Sequence, residues 1–243
     1  MEFHHVLNRG VDKRTIFLDE KDYVRFIHNL FVFNDKKNVD PNRGYHHRRS
    51  QLPEEEDRST NTEYRDVGRP YIRERERKER ELLVHIHAFC LMSNHYHLLL
   101  SPAIEDGIPL FMKKLNGGYA KYFNERYERS GALFQGKYKS VPIENDRHFM
   151  FIPFYIHFNP LDLKMKEWRE SKLKNVHTAL SHLEKYRWSS HLDYSNKRNF
   201  PSLTQREFFT HYFEEQGGYQ KLVVENLKNF QRELENIEDV TLE

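Results

Sequence analysis

The spacing of apolar residues divides the first part of the chain into strands and one helix. Residues 3–8 have strand-like content and lead into a loop at 9–12. The segment that starts at Asp19 places apolar residues near helical spacing behind an acidic first turn, which predicts an amphipathic helix. In residues 82–102, side chains that would face opposite sides of a strand alternate before and after Ser93 and Asn94. This pattern predicts two strands joined by a turn.

The segment after residue 102 also shows regular apolar spacing. Apolar spacing predicts a helix over residues 108–129, weakened by Gly117 and Gly118, and then a strand over residues 132–143. A further helix must end at or before Asn159, because Pro160 disfavours the helical conformation of the residue before it. Strands interleaved with helices predict an α+β fold, in which helices pack on an antiparallel sheet.

Residues 34–81 interrupt this pattern with a long, highly charged segment that contains few aliphatic side chains. Such a segment cannot bury enough apolar surface to offset its ordering entropy, so we interpret it as a charged, partly disordered insertion. Its acidic residues nearly offset its basic ones, and a nucleic-acid-binding arm is therefore the less favoured interpretation.

The C-terminal residues 196–243 are predicted to form a helical extension of a main domain that covers residues 1–195. The extension contains an apolar stripe at steps of four and three, namely Val223, Leu227, Phe230, Leu234 and Ile237. We expect this stripe to pack on the domain, and a homodimer is the alternative.

Composition narrows the class of protein. A chain of 243 residues with 37% hydrophobic content can bury one core of ordinary size. Because it contains neither a long apolar run nor a signal-peptide pattern at its start, we expect a cytoplasmic protein with no membrane partner. The single cysteine, Cys90, excludes an internal disulfide and predicts a small buried residue. A net charge of +2 is too small to indicate a nucleic-acid partner.

His95 and His97 are the first candidates for chemistry. Side chains two apart in a strand point to the same face, so the two imidazoles can bind one metal ion. Imidazole suits several divalent metals and leaves positions open for oxygen ligands. The pair His85 and His87 is a direct rival, and for either pair two polar residues on a solvated sheet face is the alternative.

Tyr155 and Asn159 lie four apart and therefore share one face of the predicted helix. The amide oxygen of Asn159 could complete a metal site while the phenol of Tyr155 attacks a phosphate that the metal polarises. An ordinary tyrosine has a pKa of about 10 and needs such help. Core packing is the alternative for Tyr155, because phenylalanines crowd this segment. Packing is the expected role of Tyr119, Tyr122 and Tyr127 on the preceding helix, and base stacking is their alternative.

A basic cluster near residue 130 is the candidate DNA surface. In an alternating strand Lys137 and Lys139 share a face, which would suit the phosphates of DNA. A solvated basic surface is the alternative. The predicted DNA-binding residues are Arg126, Arg129, Lys137 and Lys139.

Several motifs together resemble a known family. They are HAFCLMSNHYHLLL, GYAKYFNERYERSGALFQGKYKS, FYIHFNPLDL and YRWSS, preceded by HHVLNRGVDKRTIFLDEKDY. They are similar to the HUH single-tyrosine transposases, and the closest group is the REP-associated tyrosine transposases, related to the insertion-sequence 200 type. The resemblance covers residues 3–31 and 82–195.

The resemblance implies a ferredoxin-like (HUH) sheet and a site built from this chain's own residues. It places the metal pair on His95 and His97, the nucleophile on Tyr155 and the amide ligand on Asn159, with magnesium or manganese as the ion. The tyrosine becomes joined to a DNA 5′-phosphate and leaves a free 3′-hydroxyl, so the implied partner is single-stranded or hairpin DNA. A catalytically silent DNA-binding protein of the same fold is the alternative. A replication-initiator nickase ranks lower, because residues 148–158 contain one tyrosine.

Overall fold

The computed structural model describes residues 2–37, 80–173 and 175–235, with side chains described as far as residue 230. Its centre is a four-stranded antiparallel sheet in the order β2-β3-β1-β4. The strands are β1 (His4–Arg9), β2 (Val84–Met92), β3 (His95–Pro102) and β4 (Lys139–Pro142). With helices α1 (Glu20–Val32) and α2 (Gly107–Arg126), the chain order is β-α-β-β-α-β, which is the ferredoxin-like arrangement. The predicted α+β fold is confirmed.

Helices α1 and α2 cover one face of the sheet. Asp19 caps α1 by accepting hydrogen bonds from the backbone N–H groups of Lys21 and Asp22. In α2 the helix is continuous through its two glycines. A Cβ atom on Gly118 would lie 2.3 Å from the ring of Phe33, so this glycine allows the end of α1 to approach α2 closely.

Five helices pack on or around the other face. They are α3 (Asp146–Phe158), α4 (Val176–Lys185), α5 (His191–Tyr194), α6 (Glu207–Glu215) and α7 (Tyr219–Glu235). Val223, Leu227 and Phe230 of α7 are buried in the same core as α3, so the expected packing of the stripe on the domain is confirmed for these three residues. Leu234 and Ile237 lie outside the described side chains. Cys90 is buried in this core, as predicted.

Strand β4 is shorter than the sequence predicts. Its bounds are Lys139–Pro142, and the preceding residues 132–138 form bends with one isolated bridge between Phe134 and Gly10. Gly136 has a φ of +155°, a value that L side chains rarely adopt, and it interrupts the extended chain just before the strand. The predicted strand over residues 132–143 is therefore wrong in its first half.

Helix α3 contains a proline in its interior. It begins at Asp146, where the Asn145 side chain accepts a hydrogen bond from the His148 N–H, and it passes through Pro153. Pro153 contributes no N–H to the helix. The helix ends at Phe158, as Pro160 predicts. None of the helices in the described ranges is long and apolar enough to cross a membrane.

The two ends of the charged insertion are hydrogen-bonded to each other. The side chain of Asn34 donates to the Val84 carbonyl at 2.8 Å and accepts from the N–H groups of Leu83 at 3.1 Å and Val84 at 3.0 Å. The Lys36 N–H donates to the Glu81 carbonyl at 2.8 Å. The chain thus leaves and re-enters the domain at adjacent points, whereas the predicted disorder of the insertion concerns residues that are mostly outside the described ones.

We expect that replacing residues 38–79 with a short Gly-Ser linker leaves the cooperative thermal unfolding of the domain intact. The fastened ends keep their partners, and a shorter loop costs less closure entropy, so the melting temperature should stay equal or rise. Circular dichroism of both proteins during heating checks this. As a control, Asn34→Ala in the shortened protein should lower stability by about 2 kcal/mol, because buried backbone groups lose their partner. A shortened protein without a cooperative transition contradicts the prediction.

Candidate active site

Strand β3 presents His95 and His97 on the sheet face that α3 covers, with ring centroids 5.0 Å apart. Both are buried. The Nδ1 atom of His95 is hydrogen-bonded to the Asn94 side-chain oxygen at 2.6 Å, and Nδ1 of His97 to Nε2 of His5 at 2.9 Å. Each ring is therefore held through Nδ1, which fixes its orientation.

His5 is a member of the site that the sequence reasoning missed. It lies on β1, where Leu7 pairs with His97, so His5 is the diagonal neighbour of His97 on the same face. The two rings stack with centroids 5.1 Å apart and an interplanar angle of 17°. The adjacent histidines at positions 4 and 5 offered a signal, but only the register between β1 and β3 makes it meaningful.

Helix α3 places Tyr155 against this histidine cluster. Its ring meets the rings of His5 and His97 edge-on, at centroid distances of 5.7 Å and 5.9 Å. The predicted nucleophile and metal pair are thus brought together. The alternative of core packing also describes Tyr155, because its side chain is fully buried and stacks on Phe230 of α7 at 6.3 Å. A phosphate can reach the enclosed hydroxyl only after this cover moves.

Asn159 lies one turn beyond Tyr155, but its amide is engaged within the protein. Its Nδ2 donates to the Tyr155 carbonyl at 2.9 Å, and its Oδ1 accepts from Arg169 at 3.3 Å. Arg169 also forms a bidentate pair with Asp162, at 2.9 Å and 2.5 Å, and its guanidinium lies 5.6 Å from the centre of the Tyr155 ring. Asp162 lies within the FYIHFNPLDL motif, but no role was predicted for it, and Arg169 carried no sequence signal among the charged residues around it.

The donor atoms at this site fit a divalent ion in part. Ligand histidines commonly have their second ring nitrogen held by a neighbour, and both His95 and His97 meet this condition. Such a pair would bind through Nε2 and would need further oxygen ligands. The oxygen of Asn159 faces Arg169 and would have to turn from it. No group of three His, Cys, Asp or Glu side chains within the described ranges is arranged to hold a metal.

The rival histidine pair has another role. A bulge in β2 between Ile86 and Ala88 places His87 where its Nε2 contacts the Ser101 hydroxyl at 2.8 Å and its Nδ1 the Gln205 carbonyl at 3.3 Å. Burial lowers the pKa of His87 to about 4. Since both of its ring nitrogens are used within the protein, His87 is a structural residue.

Of the four predicted DNA-binding cations, the two arginines are engaged within the protein and the two lysines are exposed. Arg126 pairs with Asp19 and with the buried Asp22, and Arg129 donates to the Asn124 side chain at 2.6 Å. Lys137 and Lys139 are exposed. Lys137 precedes β4, so the premise that both lysines alternate within one strand is wrong. Lys139 pairs with Leu7, which pairs in turn with His97, and it therefore lies on the same sheet face as His97.

A buried hydrogen-bonded chain fastens α3 to the C-terminal helices. Nε2 of His157 contacts the Ser190 hydroxyl at 2.7 Å, and its Nδ1 contacts the Tyr219 hydroxyl at 2.7 Å. Nδ1 of His191 contacts the same Tyr219 hydroxyl at 2.8 Å. Burial lowers the pKa of His157 well below its usual value and that of His191 to about 4. Both imidazoles of this hydrogen-bonded network are therefore neutral in the folded protein.

Comparison with known proteins gives a family match. Residues 59–159 match the family model described as "Transposase IS200 like". No curated protein matches the chain. A solved structure described as "Structure of the REP associates tyrosine transposase bound to a REP hairpin" is similar, with a TM-score of 0.44 and 12% identity over 80% of this chain and 79% of that one.

Proposed function

We propose that the chain, whose residues 59–159 match the IS200-like transposase model, nicks and rejoins single-stranded, hairpin-forming DNA through Tyr155. One observation carries the proposal: the Tyr155 ring lies against His97 and His5 on the covered face of the sheet. His97 is also one of the two proposed metal ligands, so a phenol beside it is suited to metal-assisted attack on a phosphodiester.

The proposed reaction exchanges one phosphate ester for another. Once the cover over Tyr155 has moved, its oxygen loses its proton to solvent and attacks the phosphorus, and the bond from phosphorus to the 3′-oxygen breaks. The 3′-oxygen leaves and takes up a proton, while the 5′-phosphate stays joined to Tyr155. A 3′-hydroxyl can reverse the step, and because the link is again a phosphodiester, rejoining needs no ATP.

In this proposal His95 and His97 would hold a magnesium or manganese ion, with Asn159 as the third ligand. The ion supplies neutralisation of the charge that develops on the phosphate. Asn94 and His5 keep the two imidazoles in place through Nδ1. Arg169 donates to the amide oxygen of Asn159, so this oxygen would have to turn away from Arg169 to serve as a ligand. Lys137 and Lys139 are the proposed DNA contacts, whereas Arg126 and Arg129 support the fold that presents them.

The test is a search for a covalent protein–DNA adduct. Purified protein is incubated with labelled single-stranded hairpin DNA from the flanks of its gene, with magnesium, manganese or a chelator, and is then denatured. We expect an adduct that depends on the ion and maps to Tyr155 by peptide mass spectrometry. Tight binding without an adduct on every flanking hairpin would instead support the second candidate, a silent DNA-binding protein, which the enclosed Tyr155 hydroxyl favours.

We expect His95→Ala and His97→Ala to lose adduct formation and ion affinity together. Each removes one of the two imidazoles proposed to hold the ion, so both losses should reach about 100-fold or more. Calorimetric titration with manganese and the adduct assay measure the two effects on the same preparation. His85→Ala is the matched control, because it removes a histidine from β2 outside this cluster and should change neither quantity. Unchanged ion affinity in both site variants would exclude this ligand assignment.

A further inference from the structure

The end of β1 and the turn that follows it carry three cations, Arg9, Lys13 and Arg14, with one acidic residue, Asp12, among them, and we call this segment the cationic turn. It lies directly beside the candidate site. Arg9 is the register partner of His95, so its side chain starts on the same sheet face. Opposed residues of antiparallel strands have Cβ atoms about 5 Å apart, which places the base of Arg9 next to the proposed metal pair.

The backbone of the cationic turn is fixed on the residue that orients His95. The Gly10 N–H donates to the Asn94 carbonyl at 2.9 Å, and the Asn94 side chain donates to the Lys13 carbonyl at 3.2 Å. A Cβ atom on Gly10 would lie 2.4 Å from the Arg14 carbonyl oxygen and 2.9 Å from its Cγ. The side chain of Arg14 therefore starts beside Gly10, and the backbone that carries the three cations is fixed.

The charges of this turn are not neutralised within the described part of the chain. Arg126 has Asp19 and Asp22, and Arg169 has Asp162, whereas no described carboxylate forms an ion pair with Arg9, Lys13 or Arg14. The Nε atoms of both arginines are also buried without a hydrogen-bond partner among the described residues. A half-buried guanidinium whose Nε has no acceptor among the described residues is suited to a ligand that brings oxygen atoms and negative charge.

We propose that the cationic turn binds backbone phosphates of the DNA strand beside the phosphate that Tyr155 attacks. The inference rests on the proposed function, which brings a phosphodiester to His95 and His97. The planar fork of an arginine matches phosphate oxygens, and such contacts hold a strand in register without reading its bases. The cationic turn thus positions the strand on the side of the site where β1 ends.

The test measures how binding depends on salt. Wild-type protein, Arg9→Gln, Arg14→Gln and the double variant are titrated with a labelled oligothymidylate of about 20 nucleotides, longer than one small domain covers. Each phosphate contact to a single strand contributes about 0.7 to the slope of log affinity against log salt concentration. We expect each single variant to lower the slope by about 0.7, and the double variant by about twice that amount.

Two controls separate charge from folding. Lys121→Gln removes an exposed cation of α2 that pairs with Glu125, and it should leave the slope unchanged. Arg9→Lys and Arg14→Lys keep the charge and should retain most of the slope. A double variant that melts like the wild type and keeps the wild-type slope overturns the inference. Absence of any adduct in the wild type would instead overturn the proposed function, and the slope measurement would still report on the cationic turn.

Discussion

Tyr155→Phe should abolish the covalent DNA adduct and leave the fold and DNA binding in place. The substitution removes only the hydroxyl, so the ring contacts with His5, His97 and Phe230 remain. Loss of one hydroxyl changes stability by about 1 kcal/mol or less when the ring stays packed. Loss of the attacking oxygen removes the covalent step, and rates should fall by about 10⁴-fold or more.

The matched control is Tyr122→Phe. Tyr122 belongs to α2 and donates to Asp22 at 3.1 Å, and α2 covers the sheet face opposite to α3. This variant loses a hydroxyl of the same kind and should still form the adduct. Adduct formation by Tyr155→Phe at the wild-type rate would show that another residue attacks the phosphate. Binding to labelled hairpin DNA, measured beside the adduct, separates loss of chemistry from loss of affinity.

Acidification from pH 7 to pH 5 should destabilise the folded protein strongly. Burial lowers the pKa values of His87 and His191 to about 4, against about 6.5 in the unfolded chain. Below pH 6.5 the two histidines bind protons in the unfolded state but stay neutral in the folded state. Their full contribution to the free energy of unfolding is therefore present above pH 6.5 and is lost as the pH falls towards 4. Each of the two residues should cost about 2 kcal/mol at pH 5. His157 acts in the same direction.

Thermal unfolding at pH 7, 6 and 5 measures this loss. Asp193 has a pKa raised by burial and opposes the effect, but an ordinary carboxyl titrates mainly below this range. His191→Gln should show a smaller fall in melting temperature between pH 7 and pH 5 than the wild type. His211→Gln, which changes an exposed residue of α6, should match the wild type. A melting temperature that does not change over this range would contradict the account.

Local patterns were sufficient for most of the secondary structure. Helix α1 begins after the capping Asp19, the hairpin turns at Ser93 and Asn94, and α3 ends before Pro160. Each feature depends on residues within a few positions of one another, and such short-range preferences can be read directly from a sequence. Strand β4 is the exception, because the pattern predicted a strand over residues 132–143, whereas the strand begins only after Gly136, at Lys139.

Part of the candidate site also follows from local periodicity, and the rest depends on tertiary contacts. That His95 and His97 share a face follows from the period of a strand, and that Tyr155 and Asn159 share a face follows from the period of a helix. Which side chains meet these faces depends on the register between β1 and β3 and on the packing of α3, and both involve contacts between distant positions. His5, Arg169 and the cationic turn became recognisable only through those contacts.

The sequence also does not show which of its charged residues form ion pairs. In the sequence, Arg126 and Arg9 are equivalent cations, each near an acidic residue. The tertiary structure places Arg126 on the buried carboxylate of Asp22 and gives Arg9 no such partner among the described residues. The sequence by itself determined the elements and the residue types, because backbone periodicity and capping are local. The fold alone decided which charges are neutralised and which face the site, because Coulomb interactions depend on distance in space.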